Sequence, residues 1–161
     1  MKIIIGINTY HADSSACIIV NGKLIAAIEE ERINRKKHYS GYPIESIKEC
    51  LRIADKKDSE ITDIAFNTRS SSNLLPKGIF FLKNFSFKKV LLSESFKNKI
   101  NVKGLLLNKF TLNKNVKFHY IEHHLAHIAS AFYPSGFNDA VGLSIDGSGD
   151  FVTLAISECK N

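Results

Sequence analysis

The 161-residue chain has no tryptophan, one methionine, three prolines and only three cysteines. Cys17, Cys50 and Cys159 are scattered, odd in number and never spaced as C-x-x-C. That excludes a disulfide framework and a cysteine-built zinc site, and it suits a reducing, cytoplasmic setting. No apolar run approaches about 18 residues, so no membrane-spanning helix is expected. The N-terminal "MKIIIGINTYHADSS" has too short an apolar stretch, and no small-residue cleavage site, to be read as a signal peptide. With 44% apolar and 24% charged residues, the composition is that of a folded protein rather than a disordered one.

Acidic residues are also missing from one place. Between Ser72 and Lys114 stand nine lysines and a single acid, Glu94, a balance of +8, so the rest of the chain sums to −2 and the net +6 comes from this segment. The segment has no arginine and no Gly-rich loop, and its phenylalanines (Phe80, Phe81, Phe85, Phe87) crowd together as a core patch would. A lysine-rich solvated face on amphipathic helices accounts for it better than a nucleic-acid surface does.

What is present is a succession of short elements. Lys2 to Asn8, Ser15 to Val20 and Lys23 to Glu31 have the β-branched, apolar character of strands. Asn21-Gly22 between the last two is a strong two-residue hairpin signal. Pro43 suits the first turn of a helix, and Ile44, Ile47, Leu51 and Ala54 continue it at helical spacing. Asp63 to Thr68 and Val116 to Glu122 read as two more strands. A helix is expected from about His124 to Tyr133, stopped by Pro134 and Gly136. Ala140 to Ser157 reads as a hairpin closed by a Gly-rich turn.

This order fits an α/β fold with a mixed sheet, an actin-like ATPase (ribonuclease H-like) lobe with its second lobe only begun. The expected boundaries are 1–139 for the first lobe, with a Lys-rich, largely helical insertion at 72–115, and 140–161 for the opening hairpin of the second.

Four stretches carry residues suited to chemistry. "YIEHHLAH" places His123 and His127 four apart, on one helix face, where two neutral imidazoles can meet one ion. His124 falls about 100° away, suited to supporting the ligands from behind or to packing. A polar helix start rich in histidine is the alternative. Asp146 in "SIDGSGD" ends an apolar strand, where a buried carboxylate is costly unless paired or metal-bound. Gly147, Ser148 and Gly149 after it form either a plain turn or a loop whose backbone approaches an anion closely. His11, Asp13, Ser14 and Ser15 cluster in the first loop. They form either a self-stabilising Asx-type loop or a site in which hydroxyls and amides hold phosphate and Asp13 accepts a proton. Arg32 and Arg35 in "EEERINRKKH" belong to a solvated charge run or to a grip on phosphate.

Together, "GINTYHADSSACIIVNGKLIAAIEEERINRKKH", "YIEHHLAHIASAFYPSGFNDA" and "LSIDGSGD" resemble the N-terminal domain of O-carbamoyltransferases of the NodU/CmcH type. That domain is similar to the tRNA threonylcarbamoyl-transfer protein. The resemblance implies an enzyme in which a YrdC-like domain converts carbamoyl phosphate and ATP into carbamoyl adenylate. The first domain then passes the carbamoyl group to a hydroxyl of a small molecule. It also implies His123, His127 and Asp146 as ligands of a divalent metal, iron by family habit, although zinc or manganese suits the same donors. His11, Asp13, Ser14 and Ser15 would line the cleft, with His11 or Asp13 as base, and Gly147, Ser148 and Gly149 would face phosphate. The missing second lobe and YrdC-like domain, in cis or from a neighbouring chain, make the chain an expected fragment, inactive alone. A tRNA threonylcarbamoyl-transfer homologue and a non-catalytic, partner-binding half-fold are the competing readings.

Overall fold

The computed structural model describes residues 1–10, 13–69, 102–149 and 152–160. Strand β1 (Ile3–Asn8) turns Ile3, Ile5 and Ile7 inward, each at most 3% exposed, because side chains alternate across a strand. β2 (Ser15–Val20) pairs antiparallel with β1, and β3 (Lys23–Glu29) antiparallel with β2. The Asn21-Gly22 turn joins β2 to β3 with φ of 49° and 83°, as a hairpin turn of this kind requires.

The charge run then departs from the strand expected through Glu31. β3 ends at Glu29, and Glu30–Asn34 form a short helix, α1, closed by Arg35 in the left-handed region at φ 60°. The reason is tertiary: Glu30 is buried at 3% exposure, with its carboxylate beneath the start of the next helix. That helix, α2 (Ile44–Ile53), buries Ile47, Cys50 and Leu51, three residues at helical spacing. Pro43 stands at its N-cap rather than inside its first turn.

A 3₁₀ turn (Asp58–Glu60) leads to β4 (Asp63–Phe66), two residues shorter than expected, which pairs parallel with β1. Helix α3 (Val102–Lys109) and strand β5 (Lys117–Tyr120) follow. Of the Lys-rich segment expected to be helical, 102–109 is helix and 72–101 lies outside the described residues. The five strands lie in the order β3-β2-β1-β4-β5. Three antiparallel strands, then a crossover to a parallel β4 at the other side of β1, is the sheet of a ribonuclease H-like, actin-like lobe. Its core gathers Ile3, Ile5, Ile18, Ile47, Ile61, Ile64, Phe66 and Leu106, each buried side chain contributing roughly 1.5–3 kcal/mol.

Helix α4 (His123–Ser135) and the hairpin β6 (Asp139–Gly149) with β7 (Val152–Lys160) follow. α4 starts one residue before the expected point because Glu122 caps it, its carboxylate accepting the Leu125 N–H at 2.8 Å. Pro134 does not stop the helix: so near the end its missing N–H forfeits little, and Gly136 closes it at φ 77°. The described residues form two compact units, one of residues 1–66 with 102–119, the other of residues 67–69 with 120–149 and 152–160. α4 goes with the hairpin in the second of these units.

Candidate metal centre

The alternation of β6 builds this site. Val141, Leu143 and Ile145 point away from α4 and are 76%, 58% and 71% exposed. The intervening residues face the helix. Gly142 lies against Ile128, where a Cβ would collide with that side chain. Ser144 meets His124, and Asp146 meets His123. Pairing between β6 and β7 is irregular between Ile145 and Gly149, a bulge of the kind that re-aims side chains beside functional sites. Gly147 to Gly149 thus remain in strand β6 instead of forming the expected loop.

His123 Nε2 lies 2.7 Å from Asp146 Oδ2 and 3.0 Å from His127 Nε2, and His127 Nε2 is 3.8 Å from the same oxygen. A triangle with these edges has a point about 2 Å from every corner, the bond length of imidazole nitrogen and carboxylate oxygen to a first-row divalent ion. The donor set also fits: two neutral imidazoles and a carboxylate suit iron, zinc or manganese. The His123 ring is 9% exposed, while His127 and Asp146 are 54% and 37% exposed, so the triangle is anchored on one side and open on the other. Asp146 is held below the usual carboxylate range, chiefly by the hydrogen bond from His123 and then by the Gly147 N–H at 2.6 Å. A side chain at Gly147 would meet nothing within 4 Å, which leaves this backbone open to approach.

In the other unit, the first loop is sewn to the segment after α1. Ser14 N–H donates to the Tyr39 carbonyl, and the Ser14 and Thr9 hydroxyls both donate to the Gly41 carbonyl, at 2.9, 2.7 and 3.2 Å. Ser14 is 0% exposed. In this arrangement its hydroxyl proton is directed at the Gly41 carbonyl. The stitching brings Asp13 to His38, with Oδ1 3.1 Å from Nδ1, and His38 N–H donates to Glu31 at 3.0 Å. Asp13, Glu31 and His38 so form a second convergent group, which has no buried member. Ser15 opens β2, paired with Asn8 and Glu29. Arg32 is exposed and ion-paired with Glu29 at 3.1 Å and Glu31 at 3.7 Å, and Arg35 is exposed at the end of α1. His11 lies outside the described residues, as do the side chains of Ser148 and Gly149.

Three polar residues had no assigned role in the sequence: Glu30, His38 and Asp63. The buried Asp63 pairs with His119 at 2.7 Å, which draws its pKa down. Only the position of an aspartate at the start of an apolar strand hinted at this.

A ribonuclease H-like first unit, and a two-histidine helix laid on a hairpin that supplies a carboxylate, define an actin-like ATPase-fold protein with a candidate metal centre. Residues 3–160 match the family described as carbamoyltransferase N-terminus, and the chain belongs to that family. It is 34% identical over 152 residues to the nodulation protein NolNO of Sinorhizobium fredii, covering 91% of this chain and 21% of that protein. It is 31% identical over 169 residues to an uncharacterized protein of Synechocystis, covering 97% of this chain and 27% of that protein. The chain thus spans about a fifth to a quarter of the length of these relatives. Among solved structures, YeaZ from Pseudomonas aeruginosa is similar at 13% identity and a TM-score of 0.47, covering 99% of this chain and 66% of that one. Among the described residues, no helix is long and apolar enough to cross a membrane.

Proposed function

We propose that the chain is the N-terminal, metal-holding part of an O-carbamoyltransferase. It would act in moving a carbamoyl group from carbamoyl phosphate, by way of carbamoyl adenylate, to a hydroxyl of a small-molecule acceptor. The match of residues 3–160 to the carbamoyltransferase N-terminus family carries this reading, and the convergence of His123, His127 and Asp146 supports it. ATP is the co-substrate. The remainder of the second lobe and a YrdC-like domain, in cis or on a neighbouring chain, are the partners the chemistry requires. No nucleic acid or membrane enters this reading.

In the transfer, the acceptor oxygen bonds to the carbamoyl carbon, the bond from that carbon to the adenylate phosphate breaks, and AMP leaves. The hydroxyl proton passes to a base. A divalent ion, iron by family resemblance and otherwise zinc or manganese, would be held by His123, His127 and Asp146. When bound, it supplies Lewis-acid polarisation of a carbonyl. His123, nearly buried, fixes one corner, and the half-exposed His127 and Asp146 leave the open side for substrate. His11 or Asp13 is the base of this reading, Asp13 lying within hydrogen-bond distance of His38. Ser15, Arg32, Arg35 and the exposed backbone at Gly147 are its phosphate and substrate contacts.

Elemental analysis of the purified chain, grown with iron and zinc supplied, tests the metal-dependent reading. Near-stoichiometric iron or zinc is expected, and a His127→Ala variant should lose it. A wild-type chain without metal, or a variant that keeps it, would overturn the assignment of these ligands.

A further inference from the structure

We infer that His124 is the positioning residue of this centre: it locks α4 to both strands of the hairpin in the register that brings Asp146 onto His123. The inference rests on the proposed metal reading only where metal is the readout. His124 is 0% exposed. Its Nε2 lies 2.9 Å from the Val152 carbonyl oxygen, and its Nδ1 lies 2.8 Å from Ser144 Oγ. A carbonyl only accepts, so Nε2–H donates to Val152, and in the neutral ring Nδ1 is left to accept from the Ser144 hydroxyl. The protein therefore selects one tautomer.

The two partners explain the role. Ser144 stands two residues before Asp146 on the same face of β6, and Val152 opens β7. One imidazole thus ties both strands, on either side of the irregular pairing between Ile145 and Gly149. Apart from the His123 and His127 contacts with Asp146, the described packing of α4 on the hairpin is an apolar cluster, with Ile128 and Phe132 against Ala140, Ala155 and Cys159. Such packing is non-directional and tolerates small slides. The two bonds of His124 have direction, and they fix the register next door to the ligand His123.

The test has two arms. In metal-free chain labelled with ¹⁵N-histidine, long-range ¹H–¹⁵N spectra at one neutral pH should show His124 as the pure Nε2–H tautomer. In a His124→Phe variant, the His123 ring nitrogens should move to the shifts of an unpaired imidazole, whereas Ile128→Val, which trims only apolar contact, should leave them in place. In the second arm, Co²⁺ is titrated into the same proteins. His124→Phe should weaken Co²⁺ binding about tenfold and alter its visible spectrum. His124→Gln, whose amide both donates and accepts, should recover part of each, and Ile128→Val should change neither. If His124→Phe fails to fold, Ser144→Ala removes one of the two bonds and serves the same readouts, with a smaller shift expected. A mixed or Nδ1–H tautomer, or unmoved His123 shifts in a folded variant, would overturn the positioning role whatever Co²⁺ does. Correct shifts in a wild-type chain that binds no Co²⁺ would support positioning and bring down the metal reading alone.

Discussion

Removing the Glu30 carboxylate is expected to be among the most damaging single changes in the first unit. Helix α2 has no side-chain cap of its own. Glu30 supplies it from another helix: Oε2 accepts the Ser46 N–H and the Ser46 O–H, both at 2.7 Å, and Oε1 accepts the Glu45 N–H at 3.2 Å. Ser46 is itself 0% exposed, so water cannot replace the lost acceptor without rearrangement. Each buried donor left without a partner costs about 1–3 kcal/mol, and the lost negative charge at the helix start adds about 0.3–1 kcal/mol. Glu30→Ala should therefore destabilise by about 3–5 kcal/mol, a large part of the roughly 5–15 kcal/mol of a typical domain. Urea unfolding followed by far-ultraviolet circular dichroism measures this. Glu29→Ala is the control, since Glu29 is half-exposed and holds only a surface pair with Arg32; its cost should stay within about 1 kcal/mol. If Glu30→Ala unfolds at the wild-type urea concentration, the cross-helix cap contributes nothing and the explanation for the early end of β3 fails with it.

Two further outcomes follow from the geometry. His119 first, then Thr62, hold the pKa of Asp63 below its ordinary value, so Asp63 stabilises the folded chain fully above the unfolded carboxylate pKa, about 3.9. The contribution is lost as pH falls through the lower folded value. The difference in urea midpoint between wild type and Asp63→Asn should shrink between pH 6 and pH 3, and a difference independent of pH would contradict the linkage. Gly142 has no room for a Cβ, which would strike Ile128 and come within 3.0 Å of Cys159 Sγ. Gly142→Val should cost the second unit about 1–3 kcal/mol, read as earlier loss of amide protection in α4 by hydrogen exchange; unchanged protection would show that the helix stands off the strand.

The parts legible in the sequence are those where a local rule decides the outcome. β1 to β3 follow from apolar strands and one Asn-Gly turn, and α2 follows from Ile47 and Leu51 at helical spacing. The pair His123 and His127 follows from a spacing of four, and Asp146 from a carboxylate at the end of an apolar run. What stayed hidden is fixed by partners far along the chain. Ser14 looks like a loop hydroxyl until the Gly41 carbonyl, 27 residues away, accepts its hydrogen bond. Glu30 looks like one charge in a solvated run until α2 needs an acceptor. Gly147 to Gly149 have the composition of a turn, but strand pairing up to Gly149 with Val152 keeps them in β6.

The candidate centre depends on sheet register as much as on its ligands. Stepping back two residues at a time along β6, Asp146 meets His123, Ser144 meets His124 and Gly142 meets Ile128. Strand side chains alternate with period two and helix side chains repeat every 3.6 residues, so only one alignment satisfies all three pairs. A slip of β6 by one residue would turn Asp146 to the outer face and bring Ile145 and Leu143 against the histidines. His123, His127 and Asp146 would all be present and their convergence gone. The close Gly142 contact opposes such a slip by shape, and His124, bonded to both strands, opposes it by direction. That division of labour explains why one stretch contains three histidines when a helix can aim only two of them at a single ion.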